Sequence, residues 1–164
     1  ISLADFGTHC EAHNYYEESF GTRYYQAPEI ILMGKCSYPV DIWALGCTFF
    51  ELLTGELLFD PIKDSRFSRD YYHLCLINET CGNFPSSFLR KTKFYKDFFD
   101  SKFNIIEYDN KLNNRLFNKL KKIEFMNETD KKTIVSLLSG MLQIDPVKRV
   151  NINDLSKHMF FNDH

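Results

Sequence analysis

The segment from Pro39 to Gly55 constrains the fold more than any other part of this chain. Between a proline suited to a first helical turn and a glycine suited to a stop lies Val40-Asp41-Ile42-Trp43-Ala44-Leu45-Gly46-Cys47-Thr48-Phe49-Phe50-Glu51-Leu52-Leu53. This helix is apolar nearly all round, so other elements have to pack on most of its faces. It predicts a mainly α fold, a helical bundle around a buried central helix. The chain has 164 residues, 44% of them hydrophobic, which is enough to build such a core in one domain. Sixteen Phe, nine Tyr and one Trp supply much of the apolar volume.

Further elements follow from local signals. Arg69 to Cys81 predicts a helix closed by Gly82 and a turn at Asn83-Phe84-Pro85. From Ser86 to Phe125, Lys, Asp and Asn alternate with Phe94, Tyr95, Phe98, Phe99, Phe103 and Phe117, which predicts short helices held to a surface by aromatic anchors. Thr129 is the expected N-cap of a helix whose Ile134, Leu137, Leu138, Met141 and Leu142 share one face, and Asp145-Pro146 ends it. Asn151, with Asp154 three residues on, opens a last short helix in which Ile152, Leu155 and Met159 are expected to point inward. Ile1 to Ala4 reads as the end of a buried strand. No internal repeat, low-complexity tract or linker divides the chain.

Charge and cysteine usage exclude several classes. A net charge of -2 argues against a nucleic-acid surface. The five cysteines, at 10, 36, 47, 75 and 81, include no Cys-x-x-Cys pair and suggest neither a disulfide framework nor a zinc ribbon. His9, Cys10 and His13 lie together in a loop, with no fourth ligand at a recognisable spacing. Ile42 to Phe50, the longest apolar run, is too short to span a bilayer, so no membrane role is expected. The expected setting is intracellular, cytoplasmic or nuclear, with reduced thiols.

Chemistry concentrates near the start of the chain. Asp5-Phe6-Gly7 is followed by a polar loop ending in Gly21-Thr22-Arg23-Tyr24-Tyr25, then by Ala27-Pro28-Glu29. Downstream stand Asp41-Ile42-Trp43-Ala44-Leu45-Gly46 and Asp145-Pro146-Val147-Lys148-Arg149. These motifs, in this order, resemble the C-terminal lobe of a eukaryotic-type protein kinase, with residues 5–29 as activation segment and 30–164 as lobe helices. The resemblance covers essentially the whole chain and implies a single, partial catalytic domain over 1–164.

The resemblance also implies roles. Asp5 would hold the Mg²⁺ that bridges ATP phosphates, Phe6 and Gly7 would complete that loop, and Thr22 would position the substrate hydroxyl. Glu29 would pair with Arg149, as a guanidinium fork clamps a carboxylate, with Ala27 and Pro28 beside it. Asp41 and Trp43 would be anchors in the central helix. Ser19, Tyr15 and Tyr16 are candidate phosphorylation sites whose phosphate Arg23 would pair, a charge that Glu17 and Glu18 would otherwise supply permanently.

Within that family the finer resemblance is to the SR-protein kinase branch. It rests on Cys10 and His13, on Thr54 to Pro61 followed by Phe67-Ser68-Arg69-Asp70 and His73, and on Phe98-Phe99-Asp100-Ser101-Lys102. It implies a serine/threonine kinase acting on protein substrates, Arg-Ser-rich ones in that branch. Gln26 departs from the pattern, standing where an Arg is usual, and Tyr71-Tyr72 stand where acidic residues are usual.

The nucleotide clamp, the phosphate-binding lysine and the catalytic-loop aspartate are expected upstream of Asp5, in a missing N-terminal lobe. The seven glycines form no Gly-x-Gly-x-x-Gly, and neither His-Arg-Asp nor Val-Ala-Ile-Lys occurs. The chain alone is therefore expected not to transfer phosphate at an enzymatic rate, and part of the central helix to face water. The competing expectation is a non-catalytic kinase-like module that binds a partner through the Ser86 to Phe125 region.

Overall fold

The computed structural model describes residues 7, 9, 11, 20–109, 115–121, 123 and 126–162. Among these the chain is helical, with no β-strand beyond one isolated antiparallel bridge between Phe99 and Ile105. The order is α1 (Pro28–Ile31), α2 (Pro39–Thr54), α3 (Arg69–Cys81), α4 (Ser86–Leu89), α5 (Tyr95–Phe98), α6 (Arg115–Lys121), α7 (Glu128–Met141), α8 (Ile152–Leu155) and α9 (Met159–Asn162). The expected strand at Ile1 to Ala4 lies outside the described residues.

α2 begins and ends where the sequence signals place it. Pro39 occupies its first turn, and Gly55 closes it at φ 71°, a conformation that favours glycine, with its N–H on the Glu51 carbonyl at 2.8 Å. α7 lies along α2, a turn at Arg23–Tyr25 packs on α2 as well, and α6 packs on both α3 and α7. Gly46 makes the α2–α7 approach possible. A Cβ there would stand 3.1 Å from the Met141 Cβ and 3.2 Å from the Leu142 Cδ2.

The central helix is buried on one side only. Trp43, Gly46, Cys47 and Phe50 face the core. Asp41, Leu45, Thr48 and Leu52, spaced i, i+4, i+7 and i+11, form an exposed stripe, with Leu52 80% accessible. A helix apolar nearly all round thus carries a row of leucines to the surface.

α3 spans the predicted residues, capped by the Ser68 hydroxyl, which accepts from the Tyr71 N–H at 3.2 Å. α7 starts earlier than expected. Asn127, not Thr129, is its cap, since the Asn127 carboxamide oxygen accepts from the Asp130 N–H at 2.8 Å. The short helices of the 86–125 region are present, and Phe88 and Phe99 are buried. Asn151 caps α8 as expected, yet only Leu155 is buried. Ile152 is 60% and Met159 53% exposed, because α8 and α9 are single turns too short to present a continuous inner face.

His73 sits at the centre of the core, wholly buried, its ring 5.5 Å from Phe59, which stacks on Trp43 at 5.6 Å. Among the described residues neither ring nitrogen has a hydrogen-bond partner. Burial, reinforced by the positive charge of Arg23, pulls the imidazole pKa from 6.5 down to about 3. The unfolded chain takes up a proton below 6.5 that the folded chain refuses, so stability is full above 6.5 and is lost as the pH falls toward 3. The slope contributed is about 1.4 kcal/mol per pH unit. Urea unfolding between pH 7 and 4.5 is expected to show this decline in the parent, and a flatter profile in His73→Phe. Equal slopes would remove His73 as its source.

Candidate functional site

The end of the loop preceding α1 is held by side chains from several elements. The Arg23 guanidinium forms an ion pair with Asp70 in the first turn of α3, the two side chains 31% and 40% exposed. The Gln26 carboxamide N–H groups donate to the Phe20 and Gly21 carbonyls at 3.0 and 3.2 Å. Tyr25 donates its hydroxyl to Glu51 of α2 at 2.7 Å, a hydrogen bond that raises the phenol pKa. Thr22, which caps the Arg23–Tyr25 turn, is exposed, and its carbonyl accepts from the Tyr25 N–H at 3.0 Å.

Beyond this turn the chain enters the core. Ala27, Pro28 and Glu29 are buried, Glu29 at 1% exposure. Arg149 meets it from the loop after α7 in a bidentate pair, Nη1 donating to Oε1 at 2.7 Å and Nη2 to Oε2 at 2.9 Å. The same guanidinium donates to the Pro39 carbonyl at 2.7 Å, the Gln143 carbonyl at 3.0 Å and the Ile144 carbonyl at 3.5 Å. Its Cζ lies 5.1 Å from the centre of the Trp43 ring. All five N–H donors of Arg149 are thus used, and one side chain ties α1, the start of α2 and the chain after α7.

The predicted site residues divide into three groups. Glu29, Arg149 and Trp43 come together as described, and Ala27 and Pro28 pack beside them. Thr22, Gly7 and Asp41 are exposed, and Asp41 lies on the open stripe of α2. Asp5, Phe6 and Ser19, with Cys10, His13, Tyr15, Tyr16, Glu17 and Glu18, lie outside the described residues. Arg23, expected to pair a phosphate, has Asp70 as its partner, a contact across 47 residues that no local pattern announces. Gln26, noted only as a departure, holds the loop end through its own amide.

A second feature lies between the loop after α2 and α3. A cavity of about 470 Å³ is bordered by Asp60, Arg66, Phe67, Tyr71, Tyr72, Glu79, Glu107 and Tyr108. Tyr72 donates to Asp64, which holds that carboxyl below the usual range, and Tyr71 donates to the Ile106 carbonyl at 2.8 Å. Both tyrosines are therefore placed by their hydroxyls. Nearby thiols are silent nucleophiles. Burial pushes Cys75 and Cys81 up to about 12 and raises Cys47 well above its ordinary value. No cluster of metal-ligating side chains occurs among the described residues, nor any helix long and apolar enough to cross a membrane.

Comparison with known proteins agrees with this geometry. The protein kinase domain family model matches residues 1–161. The chain is 36% identical over 169 residues to the serine/threonine-protein kinase SRPK of Physarum polycephalum, covering 99% of this chain and 38% of that protein. It is 34% identical to the serine/threonine-protein kinase SKY1 of Saccharomyces cerevisiae, covering 99% of this chain and 22% of that protein. It is 31% identical to human SRSF protein kinase 3, covering 99% of this chain and 29% of that protein. The chain thus spans well under half the length of each of these relatives.

Proposed function

Since the chain belongs to the protein kinase domain family, we propose that it is the substrate-side part of a serine/threonine kinase that transfers the ATP γ-phosphate to protein hydroxyls. The observation that carries this reading is the saturated Glu29–Arg149 clamp. It fixes the end of the segment that also bears Thr22, and phosphoryl transfer depends on positioning above all. Asp5 would hold Mg²⁺ and ATP would supply the phosphoryl group, in a complete enzyme carrying an N-terminal lobe.

Arg-Ser-rich proteins are the proposed substrates. The cavity beside α3 presents Asp60 and Glu107 with Arg66 as the cation among its described lining residues, an excess of carboxylates suited to arginine side chains. Protein kinases named for SRSF proteins occur among the relatives. An intracellular setting, cytoplasmic or nuclear, goes with the unbridged thiols of Cys47, Cys75 and Cys81. A non-catalytic binding module draws less support, because Phe88 and Phe99 of its proposed surface are spent on the chain's own core.

The test is phosphotransfer by the full-length protein from Mg²⁺-ATP to an Arg-Ser repeat peptide. Transfer to serine is expected, with Asp5→Ala lowering kcat by about a hundredfold or more. Absence of transfer, or activity unaltered by Asp5→Ala, would sink the reading.

A further inference from the structure

A separate cavity of about 480 Å³ borders the clamp at Glu29 and shares no lining residue with the tyrosine-lined cavity beside α3. Its walls come from three stretches: Glu29 to Pro39, Phe88 to Thr92, and Asp145 to Val147. Phe88, Pro39 and Pro146 supply most of its apolar surface. Gly34 lets the first two stretches approach, since a Cβ there would stand 3.3 Å from the Thr92 Cγ2 and 3.4 Å from the Glu29 Cβ. The volume falls within the range of small-molecule sites, about 300–1,000 Å³.

Most polar groups on these walls are spent within the chain. Both Glu29 oxygens are taken by Arg149, and the Thr92 hydroxyl donates to the Leu89 carbonyl at 2.8 Å. Lys35 is also engaged within the chain. Asp145 differs. It is only 8% exposed, and its carboxylate accepts one hydrogen bond among the described residues, from the Val147 N–H to Oδ1 at 3.1 Å. Its Oδ2 has no donor there. A carboxylate oxygen so placed beside an apolar space is costly to leave unsatisfied, so it selects for a ligand that donates. Charge narrows the choice further. An anionic ligand would meet the Asp145 carboxylate, and a cationic one the ammonium of Lys91, exposed at the cavity's edge. An uncharged donor meets no like charge.

We propose that this cavity binds an uncharged aromatic alcohol, its hydroxyl donating to Asp145 and its ring lying on Phe88, Pro39 and Pro146. A hydroxyl donating to a carboxylate makes a charge-assisted hydrogen bond, and a rigid ring buries apolar area at little cost in conformational freedom. Asp145 also opens the loop that carries Arg149, its carbonyl accepting from the Lys148 N–H at 2.9 Å. A ligand on Asp145 would therefore steady the base of the arm that clamps Glu29. The inference goes beyond phosphotransfer and does not require it.

The test is titration of the full-length protein with 2-naphthol, read by naphthol fluorescence, with Mg²⁺-ATP in excess to occupy any nucleotide site. Saturable binding of one equivalent is expected, displaced by neither 2-naphthoate nor protonated 2-naphthylmethylamine. The methyl ether 2-methoxynaphthalene, which keeps the ring and loses the donor, should bind about tenfold more weakly or worse. Asp145→Asn keeps the side chain's shape and its acceptor for the Val147 N–H but removes the charge, and should weaken 2-naphthol about tenfold. Absence of saturable binding, equal affinity for the methyl ether, displacement by either charged analogue, or affinity unchanged in Asp145→Asn would overturn the proposal. The comparison of ligands uses the unaltered protein, so it decides the matter even if Asp145→Asn does not fold.

Discussion

Replacing Arg149 by methionine is expected to destabilise the folded chain by about 3–5 kcal/mol, a large fraction of a domain's total. The cost comes from what stays behind. Glu29 would remain buried without the guanidinium that takes both its oxygens, and the carbonyls of Pro39, Gln143 and Ile144 would lose their donor. The double variant Glu29→Gln with Arg149→Met removes the stranded charge and is expected to recover part of that loss. Urea unfolding of the two singles and the double forms a cycle that isolates the pair. If Arg149→Met alone lost less than about 1 kcal/mol, the clamp would be worth no more than an exposed ion pair.

Trp43→Ala is expected to cost a similar amount, about 3–5 kcal/mol, for a different reason. The indole fills the space between Phe59, stacked at 5.6 Å, and the Arg149 guanidinium at 5.1 Å, so its removal leaves a cavity there. Trp43→Phe should cost distinctly less. The indole N–H has no partner among the described residues, so its loss breaks no hydrogen bond there, and a ring remains against Phe59 and Arg149. Because Trp43 touches the guanidinium, its alanine variant and Arg149→Met should be non-additive when combined. Strict additivity in thermal or urea unfolding would show that the stacking contributes nothing to the clamp.

Some of this architecture is legible in the sequence for a physical reason. α2 and α3 are bounded by residues with strong backbone preferences, Pro39, Gly55 and Gly82, and both helices fall between those marks. α7 is bounded by weaker signals. Asn127, Thr129 and Asp130 are all competent caps, and only the contact from Asn127 to the Asp130 N–H shows which one serves. α8 defeats periodicity altogether, since one turn cannot define a face.

The site is legible to a different extent. The Glu29–Arg149 pair follows from family resemblance, and the geometry adds why it is costly to break: three backbone carbonyls share the same fork. No local pattern points to Arg23–Asp70 or to the contacts of the Gln26 amide. The first joins residues far apart in sequence, and the second uses a side chain whose ordinary reading is simple polarity. The sequence indicates that part of α2 faces water, but which leucines it exposes depends on how α7 lies against Gly46.

The suppressed thiols give this chain an internal clock. Cys36, Cys47 and Cys75 are buried on three successive segments, and alkylating reagents attack the thiolate, which burial denies to Cys47 and Cys75. Each of these sulfurs reacts only when its own layer swings open. The order in which they acquire label therefore ranks the openings by how readily each occurs, with no cysteine having to be introduced.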